Sequence, residues 1–404
     1  MKEAGAVVGR RAEDLVARTK GVARRVRRLG RRLLPAWFAA ERPAGPPDPG
    51  GAGRRRAERL AEALGVVREI EQREAALPRT AEPQEFLTLD RAVRRPTADP
   101  ALQSMLPAPL RGHWDPERST VGAVRARVAA DVIVLAKFDL GTEVKLRAAY
   151  GGQRRTVAVQ PVRPNGTCGI TNAVRSHEIV DRYAPGLMPE LLGHGELSSG
   201  LRYLVERWVD GDPLTTRLRM AEHLPQIIEG LSRVHLGYGV HARRASEIWH
   251  TGFREQWQEV RAAGLVAEEA GAHVADLLAA DKRLRLSWSH GDLVASNVLG
   301  TDDGVVVIDW EHAMERPVMH DAAKLHLFAA DKDPLLDLLL DEWGDPKAAE
   351  GYTAAEELAV VHARFLSRAP VRMAELAGHR RQGVYARQVA RQAALLADTL
   401  QRVA

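Results

Sequence analysis

One cysteine in 404 residues sets the first limit. With Cys168 alone the chain forms no internal disulfide and no tetrahedral zinc site built on cysteines, and a reducing cytoplasm suits it. Runs of about 18 apolar residues, the length a helix needs to cross a bilayer, are missing as well. Residues 1–40 lack the continuous apolar core of a secretory signal, so the sequence predicts a protein that stays in the cytoplasm. No G-x-x-x-x-G-K occurs, which excludes a Walker P-loop by pattern. The glycines of "GHGELSSG" are wrongly spaced for a dinucleotide fingerprint.

Excess charge is small, 58 Lys and Arg against 53 Asp and Glu, giving +5. It gathers at the front. Residues 10–32 hold Arg10, Arg11, Arg18, Lys20, Arg24, Arg25, Arg27, Arg28, Arg31 and Arg32, and Leu15, Val22, Val26, Leu29, Leu33 and Trp37 share one helical face. Residues 10–38 therefore read as a basic amphipathic helix. It either lies peripherally on anionic lipid at the inner face of the membrane or docks on the rest of the protein; nucleic acid is not expected. The Pro/Gly linker "ERPAGPPDPGGAGRRR", 41–56, follows. A second helix with Leu60, Leu64, Val67 and Ile70 in a packing stripe ends near Pro78. Residues 1–90 are thus a helical, basic N-terminal extension.

The pattern then changes. "DVIVLAKF", "EVKLRAAY" and "TVAVQPV" are β-rich runs separated by turn-forming segments. A helix capped by Thr171 runs to about Tyr183, and "PELLGHGEL" and "LRYLVERWV" read as two more strands. These make an N-terminal lobe over 91–209, a five-stranded antiparallel sheet with one helix. Residues 210–404 form a larger helical lobe, with helices over "RMAEHLPQIIEGLSRVHLGYGV", 252–280, 322–340 and 353–403, and "VVVID" as its clearest strand. The fold class is α+β in two lobes.

Within that helical region "HGDLVASN" sets an acid and an amide five residues apart, and Asp309 directly follows a strand. Phosphoryl transfer needs a carboxylate near the attacking hydroxyl and oxygen ligands that hold Mg²⁺ on the phosphates, and this stretch has both. Taken singly, each piece is an ordinary turn, core contact or helix cap. Together with the β lobe and the hinge they point to a kinase.

"HGDLVASN", "VVVIDWE", the "LSRVHL" helix and the "YLVERWVDGDPL" hinge resemble the aminoglycoside phosphotransferase and choline kinase family, which has a protein-kinase-like fold. The resemblance spans roughly residues 120–400. It implies that Asp292 accepts the hydroxyl proton, that Asn297 and Asp309 bind Mg²⁺, that His290 buttresses the loop, and that Asp321 supports the loop from a buried position. It implies ATP as phosphoryl donor, its adenine against the backbone of Glu206–Trp208, and a Glu178 partner on the helix for a phosphate-binding cation.

Two parts depart from the family pattern. Gln160 stands where the strand lysine belongs, with Lys145, Arg155 and Arg163 as neighbouring cations, and Gly141 is the lone glycine of the phosphate-covering turn "DLGTE". Eleven residues separate Asp309 from Asp321, no A-P-E element follows, and no lysine lies two residues after Asp292, so the acceptor is a small hydroxyl compound rather than a peptide. Amino sugars, sugars, amino alcohols and cell-envelope acceptors all fit. "DKDPLLDLLLDEWGD" offers acids for a cationic acceptor; "RFLSRAPVRMAELAGHRRQ" offers arginines for an acidic one. Two alternatives stand beside the kinase: a kinase-like nucleotide-binding protein with weak catalysis, and an HD-type metal phosphohydrolase using His290 or His312 with His320 and Asp321.

Overall fold

The computed structural model describes residues 65–74, 77, 85–90, 133–139, 143–150, 154–163, 166–209, 211–214, 217–249, 252–328, 332–344, 351–378 and 382–403. The basic helix expected at 10–38, the linker 41–56 and Gly141 lie outside the described residues.

Helix α1 covers 65–73. Strands β1 (Glu85–Asp90), β2 (Ile133–Asp139), β3 (Glu143–Tyr150), β4 (Arg155–Pro161), β5 (Leu191–Glu196) and β6 (Leu201–Arg207) form one sheet in the order β1-β2-β3-β4-β6-β5. The five expected strands are all present, but the sheet is not five-stranded. β1, taken from the stretch assigned to the extension, pairs in parallel with β2, while the other neighbours are antiparallel. A parallel partner comes with no hairpin turn beside it, so local sequence gives no sign of the pairing.

Helix α2 (Gly169–Tyr183) lies where a helix was expected, yet its start differs. Cys168 occupies the N-cap with an extended backbone and makes no capping bond, and Thr171 accepts a hydrogen bond from Arg202 Nη1 at 2.5 Å. Helix α3 (Arg217–Tyr238) follows β7 (Asp212–Pro213). Two three-stranded sheets complete the strand content: β11-β10-β7, and β12-β9-β8, with β8 (His241–Arg244), β9 (Arg283–Ser289), β10 (Val298–Thr301), β11 (Gly304–Val307) and β12 (Met314–Pro317). The lower half of the chain is thus less purely helical than its sequence suggests.

Contacts divide the described residues into two compact units, one drawn from 65–238 and 288–315, the other from 239–287 and 316–403. In the first, α1 and the β4–β6 sheet share an apolar cluster of Val66, Val67, Ile70, Leu77, Val157, Val159, Leu197, Tyr203 and Val205. Ile70 and Val205 are fully buried, each worth about 1.5–3 kcal/mol of transfer from water. The polar edge is closed by Tyr203, whose hydroxyl donates to Glu74 Oε1 at 2.6 Å, and by Ser198, whose N–H donates to Glu69 Oε1 at 2.9 Å. Burial and the Glu74 carboxylate push the Tyr203 hydroxyl up to about 12. The packing stripe read at Val67 and Ile70 is therefore a docking face for the sheet.

The second unit is built on α4 (Ala245–Ile248), α5 (Phe253–Ala262), α6 (Glu268–Ala280), α7 (Met319–Phe328), α8 (Lys332–Trp343), α9 (Ala354–Leu366), α10 (Ala369–Glu375) and α11 (Gln382–Leu400). Its core gathers Trp257, Val274, Leu284, Tyr352, Val360 and Leu396. The helices expected as 252–280, 322–340 and 353–403 are each broken. Gly264, at φ +63, turns the chain out of α5, and Pro370 in the first turn of α10 marks a new helix after Leu366. Arg285 pairs with the fully buried Glu357 at 2.6 Å, a pair whose rupture would strand a charge. Among the described residues no helix is long and apolar enough to cross a membrane.

Candidate active site

Strand β9 delivers His290 to the floor of a loop that runs to Asn297. Gly291, at φ +82, turns the chain directly after it, a conformation glycine adopts without cost. His290 is wholly buried with both ring nitrogens engaged: Nδ1 accepts the Asp292 N–H at 3.2 Å, and Nε2 lies 3.0 Å from the Ile308 carbonyl. The tautomer that fits both bonds carries its proton on Nε2. The ring meets Trp310 edge-on at 4.7 Å, and Trp310 is itself anchored by a 2.8 Å bond from Nε1 to the Val307 carbonyl. His290 thus fixes the Asp292 backbone to the end of β11.

Asn297 ends a short 3-10 turn, Ala295–Asn297, and makes a second tie. Its Nδ2 donates to the Asp292 carbonyl at 3.0 Å, and its own carbonyl accepts the Ile308 N–H at 2.8 Å. With Nδ2 spent inside the loop, Oδ1 is the atom of this side chain suited to a metal. Asp309 follows Ile308 in the left-handed region, φ 70 and ψ 49, a conformation that costs a non-glycine residue about 1–2 kcal/mol. Its carboxylate makes no capping bond to the 3-10 turn Trp310–His312 that it precedes. A carboxylate and an amide oxygen are hard donors of the kind Mg²⁺ takes, so the residues fit that ion.

Gln160, on β4, meets this loop from the sheet. It is 6 % exposed and its Nε2 donates to Glu311 Oε2, while Asn172 Nδ2 of α2 donates to the Glu311 carbonyl at 3.2 Å. Gly169 makes room for the arrangement: a Cβ there would lie 2.5 Å from Gln160 Oε1 and 2.8 Å from Glu311 Cβ. β4, the first turn of α2 and the turn after Asp309 therefore converge on Glu311.

Of the residues picked out by sequence, His290, Asp292 and Asn297 share one hydrogen-bonded scaffold that ends on Ile308, the residue before Asp309, and Gln160 bonds to Glu311, two residues after Asp309. Glu178 does not join. It is exposed on α2 and no hydrogen bond or ion pair ties it to another described residue; the buried residue beside it, His177, lies 3.2 Å from Glu206 through Nε2 and Oε1. The Glu206 side chain is buried, its carbonyl accepts from Thr156 Oγ1 at 3.5 Å, and the Arg207 and Trp208 N–H groups donate to the carbonyls of Glu190 and Arg154 at 2.8 and 2.7 Å. Asp321 is fully buried in the first turn of α7, in the other unit. Arg155 begins β4, at the opposite end of the strand from Gln160, and Arg163 is exposed. Glu311 and Asn172 were not legible: "DWE" displays the acid, but its partners sit about 140–150 residues upstream.

The comparisons with known proteins agree with the sequence resemblance over a narrower span. Residues 171–358 match the family model APH, the phosphotransferase enzyme family. No curated protein matches the chain. Among solved structures, a choline/ethanolamine kinase family protein from Mesorhizobium loti is 18% identical, with 65% of this chain and 89% of that chain covered and a TM-score of 0.43. Choline kinase LicA from Streptococcus pneumoniae is 16% identical, covering 63% and 89%, at a TM-score of 0.41. Spectinomycin phosphotransferase APH(9)-Ia, solved with ADP and spectinomycin, is 11% identical, covering 66% and 93%, at a TM-score of 0.45.

Proposed function

We propose that this phosphotransferase-family chain transfers the γ-phosphoryl group of ATP to a hydroxyl of a small molecule in the cytoplasm, within a two-lobed kinase-like fold. One observation carries the reading: His290 and Asn297 both bond to Ile308, so the loop bearing Asp292 and the turn bearing Asp309 are stapled together. In this reading the Asp292 carboxylate takes the proton of the acceptor hydroxyl as its oxygen attacks the γ-phosphorus. The bond from that phosphorus to the β–γ bridging oxygen breaks and ADP leaves. His290 holds the Asp292 backbone and takes no proton. Asn297 Oδ1 and the Asp309 carboxylate would hold Mg²⁺, which when bound offsets the charge of the phosphate oxygens.

The acceptor is an amino sugar, sugar or amino alcohol, free or from the cell envelope. The adenine rests on backbone between Glu206 and Trp208. There the Arg207 and Trp208 N–H groups and the Glu206 carbonyl already have partners, so in this reading the following residues meet the base.

Nucleotide binding with and without Mg²⁺, followed by a screen of phosphate transfer to those three acceptor classes, tests the reading. Asp309→Ala should lose metal-dependent binding, and Asp292→Ala should bind nucleotide yet turn nothing over. Binding by the unaltered chain with no transfer to any acceptor would favour the catalytically weak alternative, which the neutral Gln160 motivates. The phosphohydrolase alternative has no support here. His290 has both nitrogens on backbone groups, which leaves neither to bind a metal.

A further inference from the structure

Gln160 takes the strand position from which a kinase-like sheet presents a cation to the α- and β-phosphates. Its side chain does more than leave that charge out. The amide is buried, reaches α2 across the gap left by Gly169, and donates to a carboxylate, Glu311, that Asn172 grips from the other side through its carbonyl. Gln160 holds the Glu311 carboxylate and Asn172 its backbone, His312 Nε2 lies 3.5 Å from Oε1, and the side chain is 14% exposed, two residues from Asp309. Where a kinase of this kind sets a cation, this chain fixes an anion.

Resting on the nucleotide-binding reading above, we propose that the Gln160–Glu311 pair makes nucleotide binding obligatorily metal-dependent, so that the site takes the metal–triphosphate complex and rejects the free triphosphate. The physical cause is like charge. A free triphosphate brings a polyanion to a corner that already holds the Asp309 and Glu311 carboxylates, and each unit of charge there shifts its affinity on the order of tenfold. A divalent ion on the phosphates turns that repulsion into attraction toward the same carboxylates. A lysine at 160 would have reduced the difference between the two forms by drawing both.

The test is a charge series read by nucleotide affinity. A fluorescent ATP analogue is titrated into the full chain, in EDTA and in excess Mg²⁺, for the unaltered protein and for Gln160→Lys, Glu311→Gln and Gln160→Glu. Glu311→Gln is isosteric and still accepts the Gln160 bond, so it answers the question even if Gln160→Lys fails to fold. The ratio of metal-free to Mg²⁺ dissociation constants should be at least about 100 in the unaltered chain, equivalent to two charge steps. It should fall about tenfold in Gln160→Lys and in Glu311→Gln and rise in Gln160→Glu. Equal losses in both buffers for all three variants would overturn the proposal, since that is what damaged packing gives. So would a ratio near one in the unaltered chain. Absence of nucleotide binding in either buffer would instead remove the kinase reading, and this inference with it.

Discussion

On one side of the same two strands Val157, Val159, Tyr203 and Val205 pack against the helix at 65–73, and on the other Gln160 and Glu206 bond to Glu311 and His177. Alternation along a strand sends neighbours to opposite faces, so a shift of one residue would exchange a greasy docking surface for a polar one. The apolar side has no directional demands beyond shape and burial. The polar side has to satisfy buried amide, imidazole and carboxylate groups, each of which costs about 1–3 kcal/mol if left without its partner. One face therefore holds the unit together, while the other bonds α2 and the turn after Asp309.

Substitutions at four positions would break or sharpen that contrast. Asp292→Asn, on the functional side, should reduce phosphoryl transfer by about 10²–10⁴-fold, the usual range for losing a general base, with the thermal midpoint unmoved. A steady-state rate alongside a melting curve checks it; unchanged turnover would deny Asp292 its role. Ile70→Ala, on the apolar side, should do the reverse. Deleting a fully buried isoleucine costs about 2–5 kcal/mol of stability, visible in urea denaturation, while activity per folded molecule holds.

Glu206→Leu falls between the two. It removes the buried acceptor of His177 and should cost about 1–3 kcal/mol, with a smaller loss for Glu206→Gln, again read in denaturant. Equal losses for the two variants would mean that packing volume, not the His177 bond, matters there. Smallest is Tyr203→Phe, which deletes the bond to Glu74 at the rim of the apolar cluster. About 0.5–1.5 kcal/mol is expected. Because the Tyr203 hydroxyl loses its proton only near 12, the difference should be flat across neutral pH.

Reading the sequence found the five strands from 133 to 207 and the helix at 169–183 because period-two runs of Val, Leu and Ala and an amphipathic fifteen-residue segment are local signals. The loop residues His290, Asp292, Asn297 and Asp309 were legible for a similar reason, being packed into twenty residues in a fixed order. Glu178 was chosen because the resemblance asks for a Glu on this helix, and that does not say which face meets the sheet; His177 is the buried neighbour and Glu178 the exposed one. β1 escaped notice because a parallel partner lies more than forty residues away in sequence. The long helices were read as continuous because helix-forming residues lie on both sides of Gly264 and Pro370, which break the helices locally by a positive φ and a missing N–H.

By itself the sequence determined the local periodicities, the single thiol, and the ordered acid, amide and acid of one short stretch, since each depends on residues that are close along the chain. Tertiary structure alone decided that Gln160, Gly169, Asn172 and Glu311 meet, and that one face of β4 packs on α1 while the other bonds the turn after Asp309. Contacts between residues 140 or more apart are set by how elements pack, and no pattern within either segment specifies the other.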